Sequence, residues 1–167
     1  PFKFFGYFQS YKYFKSMQQG IFWMIKLDDH KEKVKSKHSG FRPSASHIDF
    51  GNTVALHFRM GDYKKIPSHH PVLDLSYYEA ALNVVIKNSK KDDFHVLCFF
   101  EQEDADDVDR KINILKQRFK NTTFKKVDTN VVDHEQMIMM SLCRHNVIAN
   151  SSFSWWGAYF NTNDDKI

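Results

Sequence analysis

The chain is poor in the residues that mark several common classes. It has two cysteines, Cys98 and Cys143, both inside apolar runs and without CxxC or Cys/His ligand spacing. That excludes a zinc ribbon or a disulfide scaffold and predicts two buried free thiols. Six glycines and four prolines in 167 residues exclude collagen-like and low-complexity chains. No GxxxxGK(S/T) and no GxGxxG occurs, so neither a P-loop nor a dinucleotide fingerprint is present. No apolar run approaches the roughly 18 residues of a membrane span, and the first residues do not read as a signal peptide. A cytoplasmic location is therefore expected, with peripheral membrane attachment left open, or else the chain is a piece of something larger. Charge of one sign is never blocked: 24 basic and 20 acidic residues are interspersed, for a formal +4 and a pI near 9.0. This balance suits a phosphate-bearing small molecule as well as nucleic acid. Without an aromatic ladder on a basic face or a known module, nucleic acid is not expected.

What the chain does have is apolar bulk. Hydrophobic residues make up 42% and aromatics 16%, with 16 phenylalanines, enough for one globular domain with a core. The opening "PFKFFGYFQSYKYFKSMQQGIFWMI" reads as a segment that packs on something, followed by a helix over 11–25, and a polar, lysine-rich loop or frayed helix follows over 26–40. From there the pattern alternates. Strands are expected at 54–58, 94–100, near 123–128 and at 146–149. Helices are expected between and after them, over 76–89 with Ser76 and Glu79 as a capping box, over 108–119, over 134–145 capped by Asp133, and over 153–160. Such alternation predicts an α/β, Rossmann-like parallel sheet flanked by helices. In these sheets ligands bind beyond the carboxyl ends of the strands, which singles out 59–63, 101–104, 129–133 and 150–154.

Those strand ends carry anion chemistry. Asn150, Ser151, Ser152, Phe153 and Ser154 form the turn into the last helix, where unpaired N–H groups and the dipole favour a phosphate. The plainer reading, that Ser152 or Ser154 only caps the helix, stays open. Arg59 offers a planar, permanently charged fork of donors. His57, two residues earlier, points to the same side and is either a structural histidine or a ligand contact. Asp62 either caps the loop or orients Arg59. Metal chemistry fits poorly: His69 and His70 are adjacent and face opposite ways, and "EQEDADD" reads as a solvated acidic loop. No metal is expected.

Four blocks carry a resemblance: "GYFQSYKYF" (6–14), "VALHFRMGDY" (54–63), "LDLSYYEAAL" (73–82) and "MSLCRHNVIANSSFSWWGAYF" (140–160). Together they resemble the alpha-1,2-fucosyltransferase family, glycosyltransferase family eleven. The resemblance implies the C-terminal, donor-binding half of a GT-B fold, with residues 1–50 ending a missing N-terminal domain and 51–167 forming the GDP-sugar domain. It implies GDP-fucose as donor, transfer with inversion to O2 of a galactose in a glycan acceptor, and no essential metal. Arg59 matches the diphosphate-binding arginine and His57 the histidine beside the nucleotide. Ser152, Phe153 and Ser154 fall on the helix start at the phosphates, and Asp133 falls near a guanine-contacting position. Asp62 is the carboxylate nearest to Arg59, with the general base unassigned. The chain departs from the family pattern at Met60, where a second arginine is common, and after Phe99 and Phe100, where Ser-Asp-Asp is absent. The alternatives are a GDP-sugar-binding domain without transfer, or a structural domain whose residues 1–25 dock on an N-terminal domain or partner chain.

Overall fold

A computed structural model describes residues 10–38, 48–65 and 68–167. Among these, α-helices and strands follow one another in the order α1 (Gln18–Met24), α2 (Leu27–His38), β1 (Thr53–His57), α3 (Leu75–Ser89), β2 (His95–Phe99), α4 (Ala105–Arg118), β3 (Thr123–Lys126), α5 (Asp133–Leu142), β4 (His145–Val147) and α6 (Ser152–Tyr159). The strands form one parallel sheet in the order β3-β2-β1-β4. The chain is thus the expected Rossmann-like α/β domain. Parallel strands need helical crossovers, which cover both faces and leave the central strands buried throughout. All five residues of β1 are buried accordingly.

Strand alternation sorts the side chains into two cores. Val54, Leu56, Phe58 and Met60 belong to one buried cluster with Tyr78, Leu82, Val108 and Ile112 of α3 and α4. Ala55 belongs to the other, with Leu97 and Phe99 of β2, Ile138 and Met139 of α5, and Phe22, Leu27 and Val34 of α1 and α2. Residues 18–38 therefore share a core with the sheet. The expected boundary at 50/51 falls within a 3-10 turn, Phe50–Asn52; residues 1–9 of the opening aromatic segment lie outside the described residues.

Several local expectations change. The polar stretch after residue 26 is an ordered helix, α2. Its buried positions, Leu27, Lys31 and Val34, are spaced i, i+4, i+7, a single helix face in which the lysine contributes its aliphatic stem. A lysine in the middle of the stripe hides its period. The Lys31 ammonium donates to Thr162 Oγ1 at 3.1 Å, and burial lowers its pKa. The expected helix over 11–25 narrows to α1, preceded by a 3-10 turn at Tyr11–Tyr13. Tyr13, Met17, Trp23 and Met24 are exposed there. Ser76 does not cap α3; Asp74 holds that position without a side-chain bond, and Glu79 pairs with Arg118 instead. Asp133 is the first residue of α5, with Val132 at its N-cap. Both cysteines are free and buried; burial raises the thiol pKa values, that of Cys143 to about 12.

Helix α6 is seated on α5 by close approach. A Cβ on Gly157 would fall 2.9 Å from Met140 Cβ, inside any real carbon–carbon contact. Gly157→Ala is expected to cost about 1–3 kcal/mol of stability through overpacking. Gly20 of α1 stands in open space: among the described residues, nothing beyond its chain neighbours and its own helix backbone comes within 4 Å of the place a Cβ would take. Gly20→Ala should therefore be neutral or stabilising by about 0.5–1 kcal/mol. Urea denaturation of the two variants beside the parent chain checks the contrast.

Candidate functional site

The carboxyl ends of β1, β2 and β4 open onto a cavity of about 500 Å³ lined by residues of four separate segments: His57, Arg59, Asp62, Tyr63 and His70; Phe100 and Glu101; Asp133 and Gln136; and Asn150, Ser151, Ser152 and Phe153. The location follows from the topology, since β1 pairs directly with β4 and with β2.

The loop after β1 is built to hold Arg59. Its Nη1 donates to Glu101 Oε1 at 2.6 Å and its Nη2 to Asp62 Oδ1 at 2.8 Å, and its guanidinium carbon lies 5.2 Å from the Tyr63 ring centroid. Both carboxylates are more than half exposed, at 53% and 57%, so these pairs are worth little in stability. What they fix is direction. The backbone beneath is anchored by Asp104, 1% exposed, whose Oδ2 accepts the Gly61 N–H at 2.6 Å and whose Oδ1 accepts from Lys64 Nζ at 2.6 Å. Lys64 also donates to Asp107 Oδ2 at 2.7 Å. The acidic run "EQEDADD" is therefore not a solvated loop throughout: Asp104 is one of its structural centres.

His57 lines the same cavity at 5% exposure, its ring 5.7 Å from that of Phe153. Its Nδ1 is buried and has no hydrogen-bond partner among the described residues. Burial, and secondarily the Arg59 charge, depress its pKa from 6.5 to about 4. The imidazole is neutral at physiological pH. A buried, neutral histidine with one unsatisfied nitrogen, beside an arginine in a cavity lining, marks a candidate functional position.

At the neighbouring strand end the chain leaves β4 and turns into α6. Ser151 occupies the N-cap with extended backbone, φ −131° and ψ 135°, and makes no side-chain capping bond. The first N–H groups of a helix have no intrahelical acceptor, and Ser151, Ser152 and Phe153 at this helix start belong to the lining of the cavity. Ser154 is not part of that lining. It is 0% exposed, and its Oγ accepts the Ala149 N–H at 3.2 Å and faces the Ala149 and Ser151 carbonyls at 3.4 Å, bracing the turn from inside. Trp155 and Trp156 are half-buried rather than core; Trp155 stacks on Tyr159 at 5.1 Å, and Trp156 lies 5.5 Å from Phe14, clamping α6 to the aromatic start of the chain.

Met60 is not part of the cavity lining. It is 2% exposed, in the buried cluster with Phe58, because alternation turns it away from the side that His57 and Arg59 share. Asp133 reaches the lining from the start of α5, and Asn150 from the end of β4. Two residues that no sequence signal marks for the site join them. Gln136 lies one turn into α5 and donates to the Val131 carbonyl at 2.7 Å. His70, by sequence a loop histidine, stacks on Tyr63 at 4.7 Å. The strand-end rule pointed to Glu101, whereas Gln136 lies three residues past the last position it singled out after β3.

The His57 pKa has a measurable consequence. An unfolded chain protonates its histidine below about pH 6.5, while folded His57 resists until about 4. The unfolded state thus binds more protons across that window, and stability, full above 6.5, falls as pH drops towards 4, by at most about 3 kcal/mol. His57→Gln should flatten this decline relative to the parent chain in urea titrations at pH 4.5 and 7.

The chain is similar to the O-antigen biosynthesis glycosyltransferase WbnK of Escherichia coli, 35% identical over 126 residues that cover 70% of this chain and 37% of the relative. It is also similar to an alpha-1,2-colitosyltransferase of Escherichia coli, 29% identical over 175 residues that cover 97% of this chain and 52% of the relative. It spans about half or less of the length of these curated relatives. No solved structure gives a significant match. The family description "Glycosyl transferase family 11" matches residues 1–166, and on that near end-to-end match the chain belongs to glycosyl transferase family 11.

Proposed function

We propose that the chain is the donor-binding half of a nucleotide-sugar glycosyltransferase, that its donor is GDP-fucose, and that fucose passes with inversion to the 2-hydroxyl of a galactose in a glycan. One observation carries the reading: Arg59 and the Ser151–Phe153 turn line a single cavity at the tips of adjacent strands, with His57 in the same lining. Permanent positive charge on one wall and a helix N-terminus on the other form a receptacle for a diphosphate.

The chemistry follows from where charge develops. As the sugar leaves the diphosphate, negative charge grows on the leaving phosphate oxygens, and donors already oriented at that place lower the barrier. Arg59 exchanges Glu101 or Asp62 for a phosphate oxygen, and the free N–H groups of α6 take another; in this reading no metal is needed. Inversion requires the acceptor hydroxyl to attack the anomeric carbon from the face opposite the diphosphate and to give up its proton. Asp62 lies in the lining, salt-bridged to Arg59, which suits it to orienting the guanidinium more than to taking that proton. Asp133 and Gln136, across the cavity, supply polar groups for the guanine. We place the protein in the cytoplasm, free or at a membrane surface; among the described residues no helix is long and apolar enough to cross a membrane.

The name of one relative specifies colitose, which makes that sugar the first alternative to fucose. The coverage of 37% and 52% of the relatives favours, for this chain alone, binding of the donor without transfer, the acceptor contacts coming from another domain.

GDP at millimolar concentration is expected to raise the melting temperature of the chain, and Arg59→Ala to abolish the rise. Loss of one such charged donor should weaken GDP binding by about 10-fold or more. Calorimetric titration with GDP, GDP-fucose and GDP-mannose checks site, base and sugar together; a parent chain indifferent to GDP rejects the donor site.

A further inference from the structure

We infer that Tyr63 is a positioning residue that sets the spacing between the two anion-binding walls. The inference rests on the diphosphate reading of the cavity and says how that cavity keeps its width. The β1–β4 ladder ends at the pair Leu56↔Val147. Beyond it, the Arg59 loop and the turn into α6 continue without ladder bonds between them. Tyr63 spans that gap. Its hydroxyl donates to the carbonyl of Asn150 at 3.0 Å, across 87 residues of sequence, and Asn150 immediately precedes Ser151. Its ring lies 5.2 Å from the Arg59 guanidinium carbon and stacks on His70 at 4.7 Å and 24°. One side chain thus touches the cation of the first wall and the backbone that delivers the second. A further strut runs beside it: Asn150 Nδ2 donates to the Pro71 carbonyl at 3.0 Å, holding the His70–Pro71 segment against the same turn.

The spacing matters only to a ligand that touches both walls. A diphosphate reaches from the guanidinium to the helix start, whereas a single phosphate is satisfied by one of them. Tyr63 acts through Arg59 and the turn, so its removal lowers diphosphate affinity selectively, while a general loosening of the fold lowers both alike.

Titrating GDP and GMP into the full chain, the Tyr63→Phe variant and the Tyr63→Leu variant tests this. Tyr63→Phe, which removes one hydroxyl and keeps the ring, is expected to weaken GDP about 3- to 10-fold and to leave GMP within about twofold. Tyr63→Leu, which also removes the ring beside Arg59, should narrow the GDP-to-GMP preference further. A Tyr63→Phe variant that binds GDP as the parent does, or that loses GDP and GMP affinity by the same factor, overturns the role of Tyr63 and leaves the donor site standing. A parent chain that binds neither nucleotide overturns the donor site, and the role of Tyr63 with it.

Discussion

The direct parallel pairing of β1 with β4 is the constraint on which the site depends. Strands so paired lie about 4.8 Å apart, so whatever leaves their carboxyl ends emerges side by side, however distant in sequence. Register matters as much as adjacency. Val54, Leu56, Phe58 and Met60 lie in one core, and burying four such side chains locks the strand against a one-residue slip that would exchange its faces. The residues left on the other side include His57 and Arg59, which are thereby aimed into the cavity. The same hydrophobic term that folds the sheet orients the guanidinium.

Rigidity at the strand tips comes from buried polar contacts of a different kind. Asp104 ties the Gly61 N–H and Lys64 to the start of α4, and removing such an acceptor would leave a buried N–H unsatisfied, which costs more than the bond itself contributes. On the other wall Ser154 commits its hydroxyl to Ala149, and the approach of Gly157 to Met140 fixes how far α6 stands from α5. These contacts do no chemistry. In the proposed transfer they would hold donors in place before charge develops, the condition under which electrostatic stabilisation is largest. The salt bridges of Arg59 to Glu101 and Asp62 are exposed enough to exchange for a phosphate without a large desolvation cost.

Much of this was legible in the residues. The alternation of short apolar runs with helical spacings announced the parallel sheet, and the strand-end rule led to Arg59, Glu101 and the 150–154 turn. The misreadings share a physical cause: side chains whose type suggests solvent but whose burial depends on tertiary partners. Lys31 completes the buried face of α2 with its stem; Asp104 is buried because Gly61 and Lys64 come to meet it; Ser154 turns inward although its neighbours Ser151 and Ser152 line the cavity. Met60 shows the converse. It follows Arg59 directly in sequence, at a position where the resembled family commonly has a second arginine, and strand alternation sends it to the core. No local pattern reports that Tyr63 and Asn150 bond across the gap, because that contact exists only once β1 and β4 are paired.

The central claim is that one pyrophosphate is held jointly by Arg59 and the first turn of α6. A crystal structure of the chain soaked with GDP tests it most directly. The account predicts phosphate oxygens within hydrogen-bonding distance of both the Arg59 guanidinium and the backbone N–H groups of residues 152–153, with Glu101 or Asp62 released from the arginine. GDP bound elsewhere, or in this cavity with its phosphates touching only one wall, would contradict it.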